Sequence, residues 1–160
     1  MKVSHVLALA TLSLLTMSNS CKKDEDVVPC ATTLAVLETS VVPGLKATIP
    51  EPIPTLDQSH DYVVNSETEY RALFAGARLP SVDFTTHTLL AGKTRTATGS
   101  AVAAQLVTQT CNGYKYTVKL AATERAKPTN VTYYVLVPKL PLGAKVAFDV
   151  QLPQAAAASK

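Results

Sequence analysis

Two runs of alternating apolar and polar residues flank Thr110-Cys111-Asn112-Gly113, and this constrains the fold of the chain more than any other feature. Ala101 to Gln109 lies on one side and Tyr114 to Leu120 on the other. In the second run Tyr114, Tyr116, Val118 and Leu120 fall on one face, and Lys115, Thr117 and Lys119 on the other. A period of two belongs to a β-strand. Asn-Gly between two such runs is a strong short-range hairpin signal. One dry face and one wet face also fix the register, because a slip of one residue would turn the apolar row to water.

The rest of the chain after residue 85 reads the same way. Thr86 to Thr96 is strand-like, with Leu89-Leu90 at its centre. Val131, Tyr133, Val135 and Val137 alternate with Thr132, Tyr134 and Leu136, and Pro138 ends that run. Leu140-Pro141-Leu142-Gly143 turns the chain, and Lys145 to Leu152 closes it with Val146, Phe148, Val150 and Leu152 on one face. Upstream, Ala31 to Val42 is apolar and β-branched and predicts a strand or two. Pro43, Pro50, Pro52 and Pro54 confine their stretch to a loop or an extended edge.

One helix is predicted, just after the short strand Tyr62-Val63-Val64. Ser66-Glu67-Thr68-Glu69 has the layout of a capping box. Tyr70, Leu73 and Phe74 follow on one helical face as core residues, and Gly76 suits a C-cap. The fold class is therefore α+β: a mostly antiparallel β-sheet or sandwich with one short amphipathic helix at about 67–75.

The N-terminus sets the compartment. Lys2, an apolar run from Val6 to Met17 and the small residues Ser18-Asn19-Ser20 precede Cys21. This resembles a lipoprotein signal peptide over residues 1–20, with the Cys21 thiol taking the lipid. The apolar run is too short for a membrane span, which needs about 20 residues. A charged, solvated tether follows over 21–30. Within it Lys23-Asp24-Glu25 resembles the surface-export signal of Bacteroidetes lipoproteins. The expected location is the outer membrane, lipid-anchored and surface-facing, with its periplasmic face as the alternative. Residues 31–152 then form one β-rich domain, and 153–160 a disordered tail. In an oxidising compartment the two remaining thiols, Cys30 and Cys111, are expected to pair. A loop of about 80 residues closed this way contributes roughly 4 kcal/mol in the chain-entropy model.

The sequence offers little chemistry. A formal net charge of +3 spread along the chain does not suggest nucleic acid. His60, in Asp57-Gln58-Ser59-His60-Asp61, reads as a solvated loop residue before a strand, and His87 as an outward strand residue. Neither has the spacing of a metal site. Ser59-His60-Asp61 is adjacency rather than a triad, and no Gly-x-Ser-x-Gly is present. Gly92-Lys93-Thr94 ends like a phosphate-binding loop, but His87 stands where its earlier glycine is required. Asp83, Glu124 and Asp149 are scattered single charges. No catalytic residue, metal or cofactor is assigned, and a binding or structural role is expected rather than an enzyme.

One extended pattern is familiar. Val63-Val64-Asn65-Ser66-Glu67-Thr68-Glu69-Tyr70-Arg71-Ala72-Leu73-Phe74 is followed by Val82-Asp83-Phe84 and Thr88-Leu89-Leu90-Ala91-Gly92. Tyr134-Val135-Leu136-Val137-Pro138-Lys139-Leu140 comes near the end. Together they resemble the C-terminal domain of PrcB-type protease-complex proteins and small Bacteroidetes lipoproteins of the same plan. The chain departs from that pattern at Thr98-Gly99-Ser100-Ala101-Val102, where family members often carry Gly-Gly-Tyr. The resemblance implies a lipoprotein that associates with and stabilises a surface protease or another envelope complex. The Asp-Phe element also has a structural explanation apart from the resemblance: Asp83 is expected to cap a turn and Phe84 to bury beside Leu73 and Phe74. The alternative is a glycan- or small-ligand-binding surface lipoprotein. If Cys21 is the anchor, Cys21→Ala moves the protein from the membrane pellet to the soluble envelope fraction, read by fractionation and intact mass.

Overall fold

A computed structural model of the chain describes residues 35–46, 48–75 and 78–153. Cys21, Lys23, Asp24, Glu25, Cys30, Gly76 and the tail from 154 lie outside the described residues. The elements run β1 (Ser59–Val64), α1 (Glu67–Leu73), β2 (His87–Thr96), β3 (Ser100–Thr110), β4 (Gly113–Ala122), β5 (Thr129–Pro138) and β6 (Val146–Gln151). The fold is mostly antiparallel β-sheet with a single short helix among the described residues.

The strands form two three-stranded sheets, β1-β2-β5 and β3-β4-β6. β1 and β5 each run antiparallel to β2, and β3 antiparallel to β4. β6 departs from the antiparallel plan and lies parallel to β4, with Tyr114 opposite Val146 and Val118 opposite Val150. Lys115 Nζ holds Asp149 Oδ2 at 2.8 Å across this pair.

The predicted hairpin forms, and its turn falls within Thr110-Cys111-Asn112-Gly113. Thr110 pairs with Gly113, so Cys111 and Asn112 make the turn and Gly113 opens β4. Gly113 needs to be glycine for two reasons. Its φ of 142° is one that side chains rarely adopt, and a Cβ there would lie 2.2 Å from the Lys145 carbonyl oxygen. That carbonyl accepts from the Tyr114 N–H at 2.8 Å, which starts the parallel pairing of β6. Cys111, in the turn, is disulfide-bonded. Its expected partner Cys30 is outside the described residues.

One core cluster draws from both sheets: Leu90, Val107, Tyr116, Val118, Leu120, Val131, Tyr133, Val135, Val137 and Leu140. The alternation read in β4 and β5 points their residues inward as expected, and Val146, Phe148 and Val150 of β6 pack against the cluster partly buried. A second cluster covers the opposite face of β1-β2-β5. Here Tyr70 of α1 and its C-cap Phe74 pack on Val64, Leu89, Ala91 and Leu136, joined by Val42, Leu45 and Ile49. β2 is therefore buried on both faces. Within Ala31 to Val42, the described part makes two isolated bridges rather than a regular strand. Val36 pairs with Thr108 of β3 and Ser40 with Leu136 of β5, tying an edge of each sheet to the other.

The capping box is present: Ser66 Oγ accepts from the Glu69 N–H, and Glu69 Oε2 from the Ser66 N–H at 3.1 Å. The helix ends at Leu73, with Phe74 as its C-cap, two residues short of the expected Ala75. Asp83 caps its turn as expected, accepting from the Thr85 N–H at 2.9 Å and from the Thr86 hydroxyl at 2.8 Å.

Asp61, Gly92 and Tyr133 stand opposite one another across β1, β2 and β5. The Tyr133 ring lies over Gly92, where a Cβ would come within 2.4 Å of it. Its hydroxyl donates to Asp61 Oδ1 at 2.6 Å. Tyr70 is equally buried, but its hydroxyl has no hydrogen-bond partner among the described residues. Opposite effects are expected from one chemical change. Tyr133→Phe costs about 1–2 kcal/mol, while Tyr70→Phe is neutral or stabilising, because it removes a buried hydroxyl that is already unpaired. Urea unfolding of the two variants checks both signs.

Candidate functional site

The site is built on the stretch Ile49-Pro50-Glu51-Pro52-Ile53-Pro54. Its prolines face solvent while Ile49 and Ile53 are buried. Proline cannot donate to a ladder, so this strap crosses the sheet without joining it. Cations of β2 hold it by its carbonyls. Lys93 Nζ donates to Ile49 O at 2.7 Å and Glu51 O at 2.8 Å. Arg95 Nη1 donates to Pro54 O at 2.8 Å and Ile53 O at 3.2 Å. Lys93 is only 7% exposed, so these carbonyls take the place of water around its charge.

The Glu51 side chain fastens the strap to β1. The Tyr62 hydroxyl donates to Glu51 Oε2, and His60 Nδ1 lies 3.3 Å from Glu51 Oε1. The Tyr62 hydroxyl holds the Glu51 carboxyl below its usual range; burial opposes this, and His60 adds to the lowering. Burial first, and Glu51 second, push the Tyr62 phenol up to about 12.

Between the strap, β1 and α1 lies an open groove of about 560 Å³. Ile49, Tyr62, Val64, Ala72 and Leu73 give it an apolar floor, and Glu51, Asp61 and Glu69 stand around it. Alternate side chains of a strand point to opposite faces. Yet four consecutive residues, Asp61 to Val64, line this groove. It therefore meets β1 along its edge.

Sequence reading missed this arrangement. His60 belongs to β1 rather than to a solvated loop, because Ser59 to Asp61 continue the pairing with Thr94 to Gly92. Asp57, at φ 61°, makes the bend that starts the strand early. Ser59, His60 and Asp61 are not drawn together: Asp61 turns to Tyr133 and His60 to Glu51. His87 opens β2 half-buried, its Nδ1 2.8 Å from the Thr86 hydroxyl. Lys93, set aside as part of a false phosphate loop, is the anchor of the strap. Alternation in β2 places Lys93 and Arg95 on the face of Leu89 and Ala91, and that signal was available. Among the described residues no three His, Cys, Asp or Glu side chains gather as metal ligands. None of the described helices is long and apolar enough to cross a membrane. No protein-family model, curated protein or solved structure matches the chain.

The strap clasp has a pH signature. A carboxyl whose folded pKa is lowered stabilises fully above its ordinary value and loses that contribution as pH falls through the folded value. For Glu51 the loss begins below its ordinary 4.5. Asp83, held down at about 2 mainly by the Thr85 hydroxyl, adds a second loss between 3.8 and about 2. Glu51→Gln is expected to flatten the upper part of the acid limb and Asp83→Asn the lower part. Urea midpoints measured from pH 6 to pH 2 check this.

Proposed function

We propose that this chain is a lipid-anchored envelope protein whose β-rich domain is a non-enzymatic binding module for another envelope protein. In this reading Cys21 carries the lipid, and Lys23-Asp24-Glu25 directs the protein to the outer face of the outer membrane. A Cys30–Cys111 disulfide ties the tether to the turn between β3 and β4. The two sheets form a sandwich, with α1 and the strap covering one outer face. The resemblance to PrcB-type protease-complex proteins makes a surface protease the first partner to test.

The observation that carries the reading is the groove along β1. An apolar cleft that opens on a strand edge suits a polypeptide partner, because strand addition joins main-chain hydrogen bonds to side-chain pockets. The alternative, a glycan-binding surface, needs aromatic rings on display. Tyr70, Tyr116 and Tyr133 are buried, and the Tyr134 hydroxyl is turned inward to the Leu45 carbonyl at 2.5 Å.

Chemical crosslinking in cells tests the proposal. A C-terminally tagged copy is expected to recover one envelope protein reproducibly, and Cys21→Ala to lose it. Recovery of abundant membrane proteins alone, at equal levels from both copies, contradicts it.

A further inference from the structure

The groove carries more than a general preference for protein. β1 is the outer strand of its sheet, hydrogen-bonded to β2 on one side only among the described residues. The direction of its peptide groups follows from two contacts. The Gln58 carbonyl accepts from the Arg95 N–H at 3.3 Å and so faces β2. Peptide groups alternate along an antiparallel strand. Those of His60, Tyr62 and Val64 therefore also face β2, and those of Ser59, Asp61 and Val63 face outward. Asn65, next in the outward series, gives its N–H to Glu69 Oε2 at 2.7 Å, as this alternation requires.

An open edge normally invites pairing, and natural proteins block it. Here the nearest segment cannot do so. Pro50, Pro52 and Pro54 deprive the strap of donors at alternate positions, and its carbonyls at Ile49, Glu51 and Ile53 are committed to Lys93 and Arg95. The strap thus walls the groove without filling it.

Charge selects the occupant. The residues lining the groove include three carboxylates, Glu51, Asp61 and Glu69, and no lysine or arginine. The neighbouring cation, Lys93, is buried beneath the strap and turned to its carbonyls. A second copy of this chain is disfavoured, because pairing β1 with itself sets the same acidic rim against its own image. A basic segment gains from the same field.

We propose that the groove takes an extended segment of the envelope partner as an added strand beside β1. That segment carries lysine or arginine on the face of Asp61 and apolar side chains over Tyr62, Val64 and Leu73 on the other face, with Glu51 and Glu69 adding to the field. This inference rests on the binding-module reading and names the chemistry of its partner.

The test uses two acetylated, amidated pentapeptides, Val-Lys-Val-Lys-Val and Val-Glu-Val-Glu-Val, titrated into the full chain in mild detergent and followed by amide NMR. The lysine peptide is expected to shift Ser59, Asp61, Val63 and Ala72 and to bind at least tenfold more tightly than the glutamate peptide. Ala72→Arg, on the groove wall, is expected to weaken it at least tenfold. Ala121→Arg, exposed on β4 in the other sheet, is expected to leave it within twofold, which excludes a general charge effect. Equal affinity for the two peptides, shifts elsewhere, or no binding overturns the groove assignment. Photo-crosslinkers at Ala72 and at Lys119 separate this failure from that of the wider reading. Capture of one envelope protein from Lys119 alone removes the groove and leaves the binding module. Capture from neither position removes both.

Discussion

A lysine ammonium buried in the face of a sheet must find oxygen, and the strap of this protein is where it finds it. Lys93 sits on the same face of β2 as Leu89 and Ala91, where a carboxylate partner would be expected. It is held instead by the carbonyls of Ile49 and Glu51. Each of these precedes a proline, as does the Ile53 carbonyl held by Arg95. Proline supplies no N–H, so the strap has acceptors with no ladder to serve. The cations need oxygens and the strap has oxygens to give. That match fixes where Glu51 stands, and Glu51 in turn gathers Tyr62 and His60 and forms one wall of the groove.

The sheet beneath is made rigid by a different device. Gly92 leaves room for the Tyr133 ring, and Tyr133 reaches across β2 to Asp61 on β1. One side chain therefore spans the three strands of the sheet. The N-terminal segment adds a second tie, bridging β3 at Val36 and β5 at Ser40. Cys111 sits in the turn at the far end of β3, so its disulfide acts on the same hairpin that this segment already grips. The sheet that carries β1 is thus braced across its strands by Tyr133 and at its β5 edge by the N-terminal segment.

What could be read from sequence was what depends on local rules. The hairpin, the capping box and the inward rows of β4, β5 and β6 each follow from periodicity or from an end signal a few residues long. The turn falls within Thr110-Cys111-Asn112-Gly113 as read, but the approach of Lys145 to Gly113, a contact 32 positions away, is not in that signal. The parallel pairing of β6 and the membership of His60 in β1 are long-range in the same way. The groove was illegible for a further reason. Its walls come from the strap, β1 and α1, and no spacing in the chain announces that three such segments enclose a space. Lys93 was the recoverable miss, since its parity in β2 already placed it on a face that had to be covered.

The central claim is that Lys93 positions the strap and, through it, the groove. Methyl NMR of Lys93→Met, compared with the wild type, tests it most directly. Methionine keeps most of the apolar stem of lysine while removing the charge that needs the carbonyls. The expected result is that the Ile49 methyls lose their cross-peaks to the cluster of Val64, Tyr70, Phe74 and Leu89, while the cross-strand contacts of β2 and β5 stay as before. Unchanged Ile49 cross-peaks, or loss of those between β2 and β5, would contradict the claim.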